Sequence, residues 1–206
     1  MKTLQELLKS LDACEGAREW AVDMTIEEVV KKCHRGDWLI WLAQKIGIEL
    51  RPLTLATALC AKTVLHLMKD KRSINAVEVA ERFGRGEVTR EELNAAYAAA
   101  TAYAAPYADD AYAYAAYAAY AAYAAYADYV DYADYVVAAY DADYATAAFA
   151  AAAYAADAAY DADYDAYAVA SCAADACKAN QLQTANICRE IIGDIIIQIV
   201  NAKLSC

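Results

Sequence analysis

Between Ala95 and Ala176 about half of the sequence is alanine, and no glycine occurs between Gly86 and Gly193. Alanine is the strongest helix former and glycine, proline apart, the weakest, so this stretch is helix by propensity. One unbroken helix over 89–192 would be roughly 156 Å long at 1.5 Å per residue. A compact domain of this size has a radius of gyration of about 17 Å, so the chain must fold back on itself unless it is a rod. Pro106 is the clearest break, because it removes a ladder hydrogen bond and clashes with the preceding turn. The Asp141-Ala-Asp143 stretch and Asn180 are weaker candidates, since Asp and Asn favour caps and turns. Three or four helices are expected here, and the fold class is all-α, a multi-helix bundle with long Ala/Tyr/Asp-rich helices.

All 18 tyrosines fall between Tyr97 and Tyr167, and from Tyr114 to Tyr135 one recurs at every third residue. A three-residue step falls short of a full α-helical turn, so each tyrosine lags the last by about a sixth of a turn and the set visits every face. A surface helix with a single apolar stripe does not show this. Either the helix is central and surrounded, or part of the tyrosine set is exposed. Alanine lets helix axes approach closely while tyrosine fills gaps and sends its hydroxyl to water or a partner. The alternative to this packing role is a contact surface, tyrosine being enriched in interface hot spots.

Charge divides the chain sharply. Residues 1–94 balance 15 Lys/Arg against 15 Asp/Glu, and residues 178–206 hold three cations and two acids. Between Arg90 and Lys178 there is no cation, and 95–176 carries 12 Asp, so the net charge of −11 arises in that one segment. Asp157, Asp161 and Asp165 share a helical face at i, i+4, i+8, and Asp128, Asp131 and Asp134 lie at i, i+3, i+6. Like charges at these spacings destabilise a helix by about 0.2–0.5 kcal/mol per pair. The strip is either a solvated face that keeps an Ala-rich bundle in solution or one that meets a basic surface, where charge complementarity speeds encounter and fixes orientation. Carboxylates spaced about 6 Å apart along a helix could also occupy the sites that a protein gives to nucleic-acid phosphates.

The first 94 residues read as ordinary helical protein. Thr3-x-x-Glu6, Thr25-x-x-Glu28 and Thr89-x-x-Glu92 are capping boxes. The first leads Leu4, Leu7, Leu8 and Leu11 on one face, the second Ile26, Val29, Val30 and Cys33, and the third launches the Ala-rich segment. Gly36 stops or turns the chain, and Asp37 reads as the N-cap of a helix carrying Trp38, Leu39, Trp41, Leu42 and Ile46 that Gly47 ends. Further helices fit about 54–69, after Pro52, and about 74–83, ending at Gly84. The divisions are an N-terminal helical region (1–94), the Ala/Tyr/Asp-rich helices (95–178) and a C-terminal helix and tail (179–206), together one compact domain. The tail from Gly193 is rich in β-branched residues, fits a helix or a strand, and leaves a homo-oligomer contact open.

The start, MKTLQELLKSLDACEG, is a charged amphipathic pattern rather than a signal peptide. No run of about 18 uncharged apolar residues spans a membrane. Seven cysteines at irregular spacing, with no Cys-x-x-Cys, predict reduced thiols in a cytoplasmic protein, acting as small buried hydrophobes. No Gly-rich phosphate loop, nucleophile elbow or zinc signature is present. A di-metal bundle centre needs Glu-x-x-His; the two histidines, His34 and His66, lie outside the acidic segment, and no Glu occurs in 93–189. Cys33 and His34 are chain neighbours, which do not face each other on a helix. The expectation is no enzyme, no cofactor and no metal. Direct nucleic-acid binding is disfavoured because the cations are unclustered and the aromatic segment is acidic.

Several motifs resemble a known family. They are Ala13-Cys14-Glu15 with Trp20, Arg-Gly-Asp-Trp-Leu-Ile-Trp-Leu at 35–42, and Ala-Leu-Cys-Ala at 58–61. They continue with Ala-Val-Glu-Val-Ala-Glu-Arg-Phe-Gly-Arg-Gly-Glu-Val-Thr at 76–89, the Ala/Tyr/Asp tract, and Ile-Cys-Arg-Glu-Ile-Ile at 187–192. Over residues 4–192 the chain resembles the bacterial immunity proteins numbered family five among polymorphic toxin systems. The resemblance implies an all-helical intracellular protein that binds and neutralises a toxin. This chain departs from the pattern in its tyrosine density and in the apolar extension 193–206.

Charge segregation and resemblance together suggest a non-enzymatic immunity protein whose acidic, Tyr-rich helical face caps a basic toxin or effector. The partner-binding candidates are Asp128, Asp131, Asp134, Asp157, Asp161, Asp165, Tyr129, Tyr132, Tyr160 and Tyr164. The alternatives are a nucleic-acid-mimicking inhibitor of a defence or DNA-binding enzyme, a purely structural oligomer, and a small-ligand sponge with a Tyr-lined pocket.

Overall fold

Three threonine–glutamate pairs start three of the helices. A computed structural model of the chain describes residues 2–63, 65–67, 71–104 and 166–205. In it Thr3, Thr25 and Thr89 each donate their backbone N–H to the glutamate three residues on, at 2.8, 3.1 and 2.8 Å. Each threonine hydroxyl accepts the returning N–H from Glu6, Glu28 or Glu92. Two otherwise orphaned donors are satisfied at each start. The Thr3 and Thr89 N–H groups hold the Glu6 and Glu92 carboxyls below the usual carboxylate range.

The described residues form eight α-helices and no strand, the all-α multi-helix architecture that the sequence predicts. They are α1 (Leu4–Ser10), α2 (Glu15–Trp20), α3 (Ile26–Lys32), α4 (Gly36–Ile46), α5 (Leu50–Lys62), α6 (Lys71–Gly84), α7 (Arg90–Ala104) and α8 (Ala166–Ser205), with a 3-10 turn at Leu65–Leu67. None of them is long and apolar enough to cross a membrane.

Several boundaries differ from the sequence reading for physical reasons. Helix α5 starts at Leu50, before Pro52 rather than after it. In a first turn the missing proline N–H is one of the donors that would be unpaired anyway. The same helix ends at Lys62, short of the expected 69, where the Thr63 hydroxyl turns back onto the Cys60 carbonyl at 2.7 Å. Helix α6 begins at Lys71, ahead of the expected 74. Asn180 breaks nothing: it lies inside α8, 5% exposed, and donates to the Thr63 hydroxyl at 3.0 Å. Docking of that face outweighs the roughly half a kcal/mol by which Asn disfavours a helix. The tail that fits helix or strand is helix through Ser205. Pro106, the Asp141-Ala-Asp143 stretch and the tyrosine repeat from Tyr114 to Tyr135 lie outside the described residues.

Two apolar clusters hold the elements. The smaller joins α5, α6 and α7 through Ala58, Ala61, Val77, Ala80, Phe83 and Leu93. There α6 comes so near α5 that a Cβ on Gly84 would lie 2.6 Å from the Leu55 Cβ and 2.8 Å from its Cα. Gly84 therefore serves packing as well as ending α6. The Arg51 guanidinium donates to the Phe83 carbonyl at 2.9 Å and lies over its ring, closing the C-terminal end of α6.

The larger cluster is organised by α8. Asn180, Thr184, Cys188, Ile192, Ile196 and Val200 recur every four residues, and all are buried. A four-residue step slightly overshoots a helical turn, so this stripe drifts around the helix by about a ninth of a turn per step. A single straight partner could not cover it. The partner changes along α8 instead: Asn180 meets Thr63 of the α5 end, Cys188 meets Cys60 of α5 and Gly36 of α4, and Asn201 meets Glu27 of α3. Helix α8 thus acts as a spine crossed in turn by α5, α4 and α3.

Candidate functional site

The ten residues that the sequence singles out for partner binding, Asp128, Asp131, Asp134, Asp157, Asp161, Asp165, Tyr129, Tyr132, Tyr160 and Tyr164, all lie outside the described residues. The structure describes the scaffold on either side of them, α7 leading in and α8 leading out. What it builds in detail is the junction of α3, α4, α5 and α8 around the Arg-Gly-Asp-Trp motif.

Asp37 is not the N-cap of α4. The helix begins two residues earlier than that cap implies, at Gly36, and its N-cap Arg35 makes no side-chain capping bond. The Arg35 guanidinium instead grips the Asp37 carboxylate with two bonds, Nε to Oδ1 at 2.9 Å and Nη2 to Oδ2 at 2.6 Å. Asp37 is 3% exposed, and so paired it lies in the first turn, where the helix dipole favours a negative charge. Gly36 neither stops nor turns the chain: it lets α4 seat on α8. A Cβ there would lie 2.6 Å from the Thr184 hydroxyl and 2.8 Å from the Thr184 carbonyl carbon.

Arg189 of α8 closes the end of α3. Its Nε donates to the Val30 carbonyl and its Nη2 to the Cys33 carbonyl, each at 2.8 Å, while Nη1 bonds the Asn186 side chain. A cation there satisfies orphaned carbonyls at the negative end of the helix. Sequence reasoning places Arg189 within the Ile-Cys-Arg-Glu motif without assigning it this part. A cation three residues before the buried Ile192, with Asn186 one turn behind it, was the available signal.

On the surface above this junction, Trp20, His34 and Trp38 form a mutual aromatic cluster with ring centroids 5.9–6.1 Å apart. Arg35 lies 5.1 Å from the Trp38 ring centre. Both tryptophans and the arginine are half-buried, and His34 is exposed. Val22, next to this cluster in the chain, is 51% exposed. Tryptophan and arginine are the residue types that most often dominate protein contacts. Cys33 is buried and His34 exposed, but helical spacing does not separate them: α3 ends at Lys32, Cys33 is its C-cap, and His34 lies between α3 and α4.

Of the cysteines whose surroundings are described, Cys33, Cys60 and Cys188 are buried free thiols, as expected. Cys14 differs, being exposed at the start of α2. Burial pushes the Cys33 thiol up to about 11 from its ordinary 9.0. Because the folded state resists ionising this thiol, its contribution to stability is complete below pH 9 and is lost as pH rises towards 11. Two pH units correspond to roughly 3 kcal/mol. Urea titrations of the wild type and Cys33→Ala between pH 8 and pH 11 should show the steeper loss in the wild type. Equal slopes would remove Cys33 from the alkaline transition. No cluster of three or more potential metal ligands occurs among the described residues.

No family model, curated protein or solved structure significantly matches the chain. The helices themselves place the described residues in the all-α, multi-helix class, with a 40-residue spine helix.

Proposed function

We propose that this chain is a non-enzymatic immunity protein. It binds and neutralises a basic bacterial toxin or effector in the cytoplasm through the acidic, tyrosine-rich face of segment 95–176, which the sequence reads as helical. The observation that carries the reading is charge segregation: 12 Asp and no cation between Arg90 and Lys178, against a remainder that is nearly neutral. The motif resemblance to polymorphic-toxin immunity proteins supports the same reading. The helical scaffold on both flanks supplies two anchored ends for such a segment.

The test is capture from the producing bacterium with the full chain as bait. A basic effector should be retained in a roughly one-to-one complex whose affinity falls steeply with salt, as expected for complementary charges. The triple variant Asp157→Asn, Asp161→Asn, Asp165→Asn should weaken binding by about tenfold or more at low salt and flatten the salt dependence. Unchanged affinity and salt slope in that variant would falsify the acidic-face mechanism. Competition between the captured effector's nucleic-acid substrate and this chain would favour the nucleic-acid-mimicking alternative.

A further inference from the structure

Two buried thiols meet where the spine helix crosses α5. The Cys60 and Cys188 sulfurs are 3.7 Å apart, and both residues are 0% exposed. Each sulfur also lies against a carbonyl of the neighbouring helix, Cys60 against Thr184 at 3.8 Å and Cys188 against Gly36 at 3.6 Å. A disulfide bond is about 2.05 Å long. The sulfurs therefore need to close by roughly 1.7 Å in total, shared between two side chains that already face each other. We infer that Cys60 and Cys188 are a latent disulfide pair, a modification site at which a small-molecule disulfide converts the α5–α8 contact into a covalent bond.

The chemistry is thiol–disulfide exchange. One protein thiolate attacks a sulfur of the oxidant, forming a mixed disulfide and releasing one reduced thiol. The second protein thiolate then attacks the mixed disulfide, the Cys60–Cys188 bond forms, and the second reduced thiol leaves. Two electrons and two protons pass from the protein to the oxidant. Burial keeps both thiols from a bulky oxidant while α8 is docked, so the first step takes place when α8 parts from α5 and the second when it returns. The two positions are 128 residues apart, one before and one after the whole Ala/Tyr/Asp tract. Their bond closes a loop that contains every tyrosine of the protein, which restricts the unfolded chain and stabilises the fold.

The experiment uses the full reduced chain with oxidised glutathione at neutral pH, in buffer and in urea below the unfolding transition. Alkylation, digestion and mass spectrometry without reductant follow. The Cys60–Cys188 link should exceed any other intramolecular cysteine pair by about tenfold, because docking raises the local concentration of one thiol at the other. It should form faster in urea, persist in the Cys14→Ser variant, and give a protein that melts at higher temperature than the reduced form. Links scattered among the seven cysteines overturn the inference. So does glutathione left on Cys60 or Cys188 without ring closure, or a linked protein that melts below the reduced one.

Discussion

Ile196→Ala is expected to cost the fold about 2–5 kcal/mol, the range for truncating a buried aliphatic side chain to alanine. Ile196 is 0% exposed and lies on the drifting stripe of α8 between Ile192 and Val200. Its loss combines the transfer free energy of the removed methyl and methylene groups with a cavity that the close-packed cluster around it fills only in part. The three tryptophans, Trp20, Trp38 and Trp41, all lie in α2 and α4, and all pack against this core. Excited at the red edge of the indole band, where tyrosine does not absorb, their fluorescence in urea follows the core without a signal from the 18 tyrosines of the Ala/Tyr/Asp tract. Gln198→Ala, exposed on the same helix, should move the midpoint by no more than about 0.5 kcal/mol. If Ile196→Ala behaved like Gln198→Ala, α8 would not be docked as described.

Local signals were legible in the sequence because local forces decide them. The three capping boxes formed at Thr3, Thr25 and Thr89 because each needs only two side chains on neighbouring residues. The α4 stop at Gly47 has a left-handed backbone, φ 85°, as a glycine C-cap should. Tertiary choices were less legible. Asp37 looked like a cap until Arg35 took both its oxygens, and Asn180 looked like a break until a hydroxyl from the α5 end received its amide. A four-residue stripe reads at first as a loose amphipathic face. Its drift makes sense only once α5, α4 and α3 are seen to cover it in succession. The ten acidic and tyrosine positions proposed for partner binding rest on charge and spacing alone, since they lie outside the described residues. The buried thiols were expected from composition, but the pairing of Cys60 with Cys188 is a tertiary fact that no spacing rule contains.

Gly36→Ala sets two effects of opposite sign against each other. Alanine is favoured over glycine inside a helix by about 1 kcal/mol, and Gly36 is the first residue of α4. An added Cβ, however, would lie 2.6, 2.7 and 2.8 Å from the Oγ1, Cβ and carbonyl carbon of Thr184. The last of these is backbone inside a 40-residue helix and cannot rotate away. Relief requires α4 and α8 to separate, which also loosens the Cys188 contact with the Gly36 carbonyl at 3.6 Å and the Arg189 bonds to the end of α3. Overpacking of this kind costs about 1–3 kcal/mol, and loss of the associated bonds adds to it, so the steric effect wins. Gly16 provides the opposite case on α2, because a Cβ there meets nothing within 4 Å. Gly16→Ala should therefore be neutral or stabilising by up to about 1 kcal/mol. Urea unfolding of the two variants beside the wild type gives the signs directly. A Gly36→Ala protein as stable as the wild type would mean that α4 and α8 do not approach this closely. The spine would then be held by its contacts with α3 and α5, through Arg189, Asn180 and the buried stripe, rather than by a close approach of α4.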